Sequence, residues 1–143
     1  MTRLLIDTSV LIKWFHADGE SELVQAHAIR RAHVSGEVDA HVLDLAMYEV
    51  GNVLSRSLRW PAVDVADQLD DLVAITGPAL AVTQQWLRDA AHLAEEHRLT
   101  FYDACWAASA AALEVPLVSA DRRLLATGLA ESATEVSARL GLA

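Results

Sequence analysis

Four acidic residues stand at separated places in the chain, each beside an expected strand or helix boundary: Asp7, Glu49, Asp103 and Asp121. Asp7 follows the apolar run Leu4-Leu5-Ile6, and Asp121 follows Leu117-Val118-Ser119-Ala120. Asp103 lies at the start of an Ala-rich helical run, and Glu49 lies inside another. If the fold gathers them, the result is a nest of carboxylates. Two such groups ~4 Å apart repel by about 1 kcal/mol in water and about 4 kcal/mol at an effective dielectric of 20. A hard divalent cation removes that cost. Oxygen donors without His or Cys suit Mg²⁺ or Mn²⁺. One such ion lowers the pKa of water, and a second steadies the leaving oxygen in an in-line phosphoryl displacement. The chemistry expected of these residues is therefore metal-dependent phosphodiester hydrolysis.

Neighbouring polar residues fit a supporting role. Thr8, Ser9 and Ser119 carry hydroxyls that can orient ligating acids. Asn52 lies three residues after Glu49, on the same helical face. Each acid also has a plainer explanation. Asp7 and Asp121 have the positions of helix N-caps, Thr100 and Asp103 have the spacing of a capping box, and Glu49 could face water. Ser9 and Ser119 could likewise be caps or turn residues. The four acids argue together because ligand crevices in open parallel sheets lie outside the carboxyl ends of the strands.

The elements that must position them read as follows. Strands are expected at 3–6, 39–42, 79–82 and 116–119, with a last one at 134–136. Helices are expected at 10–15, 23–34, 43–58, from Trp60-Pro61 to about 75, and at 84–97, 100–113 and 122–126. In the Trp60–Ile75 segment Val65, Ala66, Leu69, Leu72 and Val73 share a face, while Asp64, Asp67, Asp70 and Asp71 lie mostly off it. Short apolar strands alternating with helices predict an α/β fold, a three-layer α/β/α domain with a short central parallel sheet. With 143 residues the chain is expected to be one domain, 1–143.

Composition narrows the function classes. The net charge of −9 argues against holding nucleic acid by bulk electrostatics. Two divalent cations would bring it only to −5, so any nucleic-acid contact must rest on metals and on local arginines. The candidates are Arg30, Arg31, Arg56, Arg59, Arg122 and Arg123. Apolar residues make up 53% of the chain, a surplus that suits a partner or self-association surface. No apolar run has membrane-span length and no leader pattern is visible. The lone Cys105 excludes an internal disulfide and reads as a small buried residue. These features fit the cytoplasm. The histidines His16, His27, His33, His41, His92 and His97 show no zinc spacing. Trp14, Trp60, Trp86 and Trp106 sit at helical positions that suit a core, or could stack bases if exposed.

Four segments carry a resemblance. They are Leu5-Ile6-Asp7-Thr8-Ser9-Val10-Leu11-Ile12, Glu49-Val50-Gly51-Asn52-Val53-Leu54, Thr100-Phe101-Tyr102-Asp103-Ala104-Cys105-Trp106-Ala107-Ala108, and Leu117-Val118-Ser119-Ala120-Asp121-Arg122-Arg123-Leu124. In this order and separation they resemble the PIN-domain ribonucleases, and within them the VapC toxins of toxin–antitoxin pairs. The resemblance implies a Mg²⁺- or Mn²⁺-dependent endoribonuclease. It implies Asp7 and Asp103 as direct metal ligands, with Glu49 and Asp121 completing the acidic site. Asn52 matches a polar position that often follows the family's Glu. It also implies a homodimer, a VapB-like antitoxin with a basic residue drawn to the carboxylates, and contact with DNA only through that antitoxin.

Two other readings compete. A non-catalytic PIN-like module binding RNA or protein has no reason to retain an unneutralised acid nest. The other is a phosphatase or dehalogenase with its acid after the first strand; a phosphatase of that type usually has a second Asp two residues on, where this chain has Ser9.

Overall fold

Leu4, Leu5 and Ile6 are consecutive and all completely buried, which is possible only for a strand covered on both faces. The computed structural model, which describes residues 1–143, makes them the heart of β1 (Thr2–Ile6), the central strand of a parallel sheet. β2 (Val38–His41) lies on one side, with Thr2 opposite Val38 and Leu5 opposite His41. β3 (Leu117–Val118) lies on the other, with Leu5 opposite Leu117 and Ile6 opposite Val118. The order is β2-β1-β3.

Parallel strands need crossovers, and helices supply them. α1 (Thr8–Leu11) and α2 (Leu23–Ser35) link β1 to β2; α3 (Leu45–Asn52), α4 (Ala62–Thr76), α5 (Gln84–His97) and α6 (Phe101–Leu113) link β2 to β3; α7 (Arg122–Thr127) and α8 (Ala133–Leu140) follow β3. The expected α/β architecture is the one that forms. α2 packs on β2 and α8, and α5 packs along α6. The small side chains of α6 permit that approach: Ala104, Ala107, Ala108 and Ala110 are all buried.

Two expected strands are not formed. Segment 79–82 contributes one parallel bridge, Leu80 to Leu43, closed by Leu80 N–H to Val42 O and Asp44 N–H to Leu80 O, both at 2.8 Å. The strand expected at 134–136 is instead the first turn of α8. Ser132 and Glu135 form a reciprocal capping box there, which starts a helix whatever the β-propensity of Thr134 and Val136. The extended position beside β3 is Glu131, which bridges Val118.

Helix boundaries shift in three places. The 10–15 segment begins earlier, as α1, and tightens into a 3₁₀ turn over Ile12–Trp14. The 43–58 segment is α3 followed by a π-helical turn over Val53–Ser57. Pro61 caps α4 from outside rather than occupying its first turn. The expected apolar face of α4 is covered only in part: Leu72 is buried, Val65 and Leu69 are half-buried, and Ala66 and Val73 are exposed.

Candidate active site

The adjacent carboxyl ends of β1 and β3 create the site. Asp7 follows β1 directly, and its N–H bonds to Val118 O at 3.0 Å, so the first acid is tied to the end of β3. Asp121 begins α7 just beyond that same end. Its Oδ1 accepts from Arg123 N at 2.9 Å and Leu124 N at 3.1 Å, the geometry of an N-cap. Asp103 is in the first turn of α6, which Thr100 caps by accepting from Asp103 N at 3.1 Å. Glu49 projects from α3. All four line one cleft of about 530 Å³, together with Thr8, Ser9 and Asn52. Ser119 stands behind the cleft wall, fully buried.

The hydroxyls hold the acids from behind. Asp7 Oδ2 accepts from Ser119 Oγ at 2.6 Å and from Ser9 Oγ at 3.0 Å. Those serines are themselves held, since Ser9 Oγ accepts from Ala120 N at 2.9 Å and Ser119 Oγ from Asp121 N at 3.0 Å. Glu49 Oε1 accepts from Thr8 Oγ1 at 3.0 Å and from the indole N–H of Trp106 at 2.9 Å. In Asp7, Glu49 and Asp121 one carboxylate oxygen is thus engaged by the protein, and no hydrogen bond engages the other. This is how ligating carboxylates are usually oriented.

The electrostatics are those of an uncompensated anionic site. Asp7 is only 4% exposed, and burial pushes its pKa up to about 6 despite the two serine hydroxyls, with Glu49 and Asp103 adding repulsion. Burial also raises Glu49, opposed by Trp106 and Thr8 and reinforced by Asp103. Asp103 is raised by burial and by the Asp121 charge, and lowered by Thr100 and Arg123. No three Asp, Glu, His or Cys side chains stand close enough to close around one ion. The donor set nevertheless fits a hard cation: it is all oxygen, partly unengaged and mutually repelling.

Comparison with known proteins places this geometry in a family. The family model described as PIN domain matches residues 4–129. The chain belongs to the PIN-domain family. This PIN domain is 32% identical to Ribonuclease VapC3 of Pyrobaculum aerophilum over 127 residues, 85% of the chain and 92% of that protein. It is 35% identical to Exonuclease VapC9 of the same organism over 85 residues, 59% of the chain and only 64% of that relative's length. The crystal structure of PAE2754 from Pyrobaculum aerophilum superposes with a TM-score of 0.68 at 28% identity, covering 98% of this chain and 97% of that one.

All eight residues singled out by sequence therefore lie in or directly behind one cleft of this PIN domain. Three residues with a place in the site were not anticipated. Trp106 is completely buried, as a core residue, yet its N–H also fixes Glu49. The signal was available: a buried Trp needs a partner for its N–H, and Trp106 follows Asp103 by one helical turn. Tyr48 and Tyr102 line the cleft mouth, each directly before one of the acids. None of the six candidate arginines lines the cleft. Arg123 comes near enough to Asp103 to lower its pKa, while Arg31 donates to Ala143 O at 2.6 Å. Cys105 is buried, Trp14 is buried, and Trp60 and Trp86 are half-buried. No helix is long and apolar enough to cross a membrane.

Proposed function

We propose that this chain is a metal-dependent endoribonuclease and the toxin of a toxin–antitoxin pair. The observation that carries the reading is the convergence of four carboxylates on a cleft with no lysine, arginine or histidine in its wall. Such a cleft repels RNA unless a cation is added. Asp7, Asp103, Glu49 and Asp121 would hold Mg²⁺ or Mn²⁺. When bound, the cation supplies charge for the phosphate and makes water acidic enough to attack near neutral pH. The chain's own residues do the rest. Ser9 and Ser119 keep Asp7 Oδ2 turned to the protein, so Oδ1 is the atom offered to the cleft. Thr8 and Trp106 do the same for Glu49, and Arg123 and Leu124 N–H groups do it for Asp121. Asn52 offers an amide to the substrate side of the cleft.

The relatives named as nucleases support this reading. A VapB-like antitoxin that places an Arg or Lys among the carboxylates would block the cleft by charge complementarity. A homodimer, DNA contact only through that antitoxin, and action in the cytoplasm complete the proposal.

One relative is named an exonuclease and another a ribonuclease, so the test separates end-dependent from internal cleavage. Purified protein is incubated with total cellular RNA and with a covalently closed RNA circle, with Mg²⁺ or Mn²⁺, with EDTA, and as Asp7→Asn. Cutting of the circle that needs both metal and Asp7 is the expected result. Digestion of linear RNA only would replace the endonuclease with an exonuclease. The lack of a ready-closed cation cage favours one second reading, a non-catalytic binding module. Calorimetry decides it, since a module of that kind takes up no Mn²⁺ at millimolar concentration.

A further inference from the structure

Tyr48 and Tyr102 are large rings left in solvent, 74% and 61% exposed. Both line the acidic cleft. Neither stacks on another aromatic side chain; the one ring pair in the molecule is Phe15 with Trp60. Each directly precedes an acid on its helix, Tyr48 before Glu49 and Tyr102 before Asp103. Consecutive helical residues point about 100° apart. A ring one residue away therefore sits beside its carboxylate rather than over it. The two rings come from different helices, α3 and α6, so the cleft has an aromatic residue on each.

The charge balance says what those rings are for. No cationic side chain lines the cleft, and the chain as a whole carries −9. Phosphate contacts, the usual source of nucleic-acid affinity, are then limited to the cations held by the acids and to rim residues such as Arg123. The remaining source is stacking of bases on aromatic faces, which works for every base and needs no charge. A ring can reach a base face only if the base is not already stacked in a helix.

We propose that Tyr48 and Tyr102 are base-stacking residues that restrict the cleft to single-stranded RNA, with bases flanking the target phosphate seated on the rings. This deepens the nuclease reading and rests on it for the identity of the polymer. It assigns the two tyrosines to substrate affinity, not to the hydrolytic step.

The test uses the full chain with Ca²⁺, another oxygen-seeking cation. Binding of an unstructured oligoribonucleotide and of its duplex is followed by fluorescence anisotropy for wild type, Tyr48→Ala, Tyr102→Ala, Tyr48→Phe and Tyr102→Phe. Thermal unfolding confirms that each variant is folded, as the exposure of both rings leads one to expect. Each alanine variant should weaken single-strand binding roughly 5- to 150-fold, the range for loss of one stacking ring. The phenylalanine variants keep a ring and should stay near wild type. In Mn²⁺ the alanine variants should raise KM by the same factor with kcat held.

Two results overturn the proposal: alanine variants that bind the single strand like wild type, or a duplex bound as tightly as the single strand. The first would remove the rings from nucleic-acid contact. Binding is read apart from cutting, so the two ideas fail separately. Ring-dependent binding by a protein that cuts nothing keeps the stacking role and removes the nuclease. Cutting with ring-independent affinity does the reverse.

Discussion

The indole N–H of Trp106 donates to Glu49 Oε1 at 2.9 Å, joining α6 to α3 across 57 positions of sequence. Trp106 is completely buried, so with Glu49 in place that carboxylate is the partner its N–H needs. Glu49 is half-buried, and this bond offsets part of the burial that raises its pKa. A core packing residue and a cleft acid thus satisfy each other.

Trp106→Phe should expose that dependence. It keeps an aromatic ring but removes the donor from a carboxylate, a change that costs about 1–3 kcal/mol in comparable sites. We expect that loss of stability by urea unfolding. Mn²⁺ affinity should also fall about 10- to 100-fold, as when a ligand loses its supporting contact. Trp86→Phe, outside the cleft, is the control. Equal Mn²⁺ affinity in Trp106→Phe and wild type would show that Glu49 needs no positioning.

Asp7 sets a pH dependence whose sign is opposite to that of a salt-bridged carboxylate. Its folded pKa is about 6 and its ordinary value 3.8, so the folded chain holds the proton more tightly than the unfolded one. Stability from this group is complete below the ordinary value and is lost as pH rises through about 6. The loss is on the order of 3 kcal/mol. Metal-free Asp7→Asn should therefore unfold at higher temperature than wild type at neutral pH, and the gap should close on acidification. Calorimetric melts in EDTA across that range check it. A variant less stable than wild type at neutral pH would refute the assignment.

Cation uptake should follow the same proton. If Asp7 is a ligand, Mn²⁺ must displace its proton at acidic pH and need not do so at neutral pH. Apparent Mn²⁺ affinity should climb from about pH 5 to about pH 7 and then level off. Isothermal titrations in two buffers of different ionisation enthalpy would show the released proton. A flat profile would mean that the ion binds without Asp7.

Ser109 makes a test of packing away from the cleft. Its Oγ is the one buried side-chain oxygen or nitrogen with no hydrogen-bond partner. Such a group costs about 1–3 kcal/mol when stranded. Ser109→Ala, in a helix already rich in alanine, should be neutral or stabilising by up to ~1 kcal/mol. Denaturant midpoints measure it, and a clear destabilisation would mean that the hydroxyl has a partner in solution.

These residues also show what sequence could and could not convey. Asp7 and Asp121 were legible because strand ends follow apolar runs and the carboxyl edge of a parallel sheet is a known place for ligands. Ser9 and Ser119 were legible only as neighbours of acids. That both converge on a single oxygen of Asp7 depends on the alignment of β1 with β3, which no local pattern encodes. The strand expected at 134–136 shows the opposite failure, a local propensity overridden by the Ser132–Glu135 capping box. No local pattern marks Tyr48 and Tyr102, because exposure at a cleft mouth is a tertiary property. Apolar periodicity likewise placed Val73 in a core face that tertiary packing leaves open.

The bond from Ser119 to Asp7 spans 112 residues. A chain still being synthesised has Asp7 early, but it has no β3, no Ser119 and no Asp121 until residues 117–121 have emerged. Until then the central strand lacks one neighbour and Asp7 lacks its strongest anchor. Fragments that stop short of β3 have the same defect. For a protein that would cut RNA, the acid at the end of the first strand is therefore not fully held until the last strand has joined the sheet.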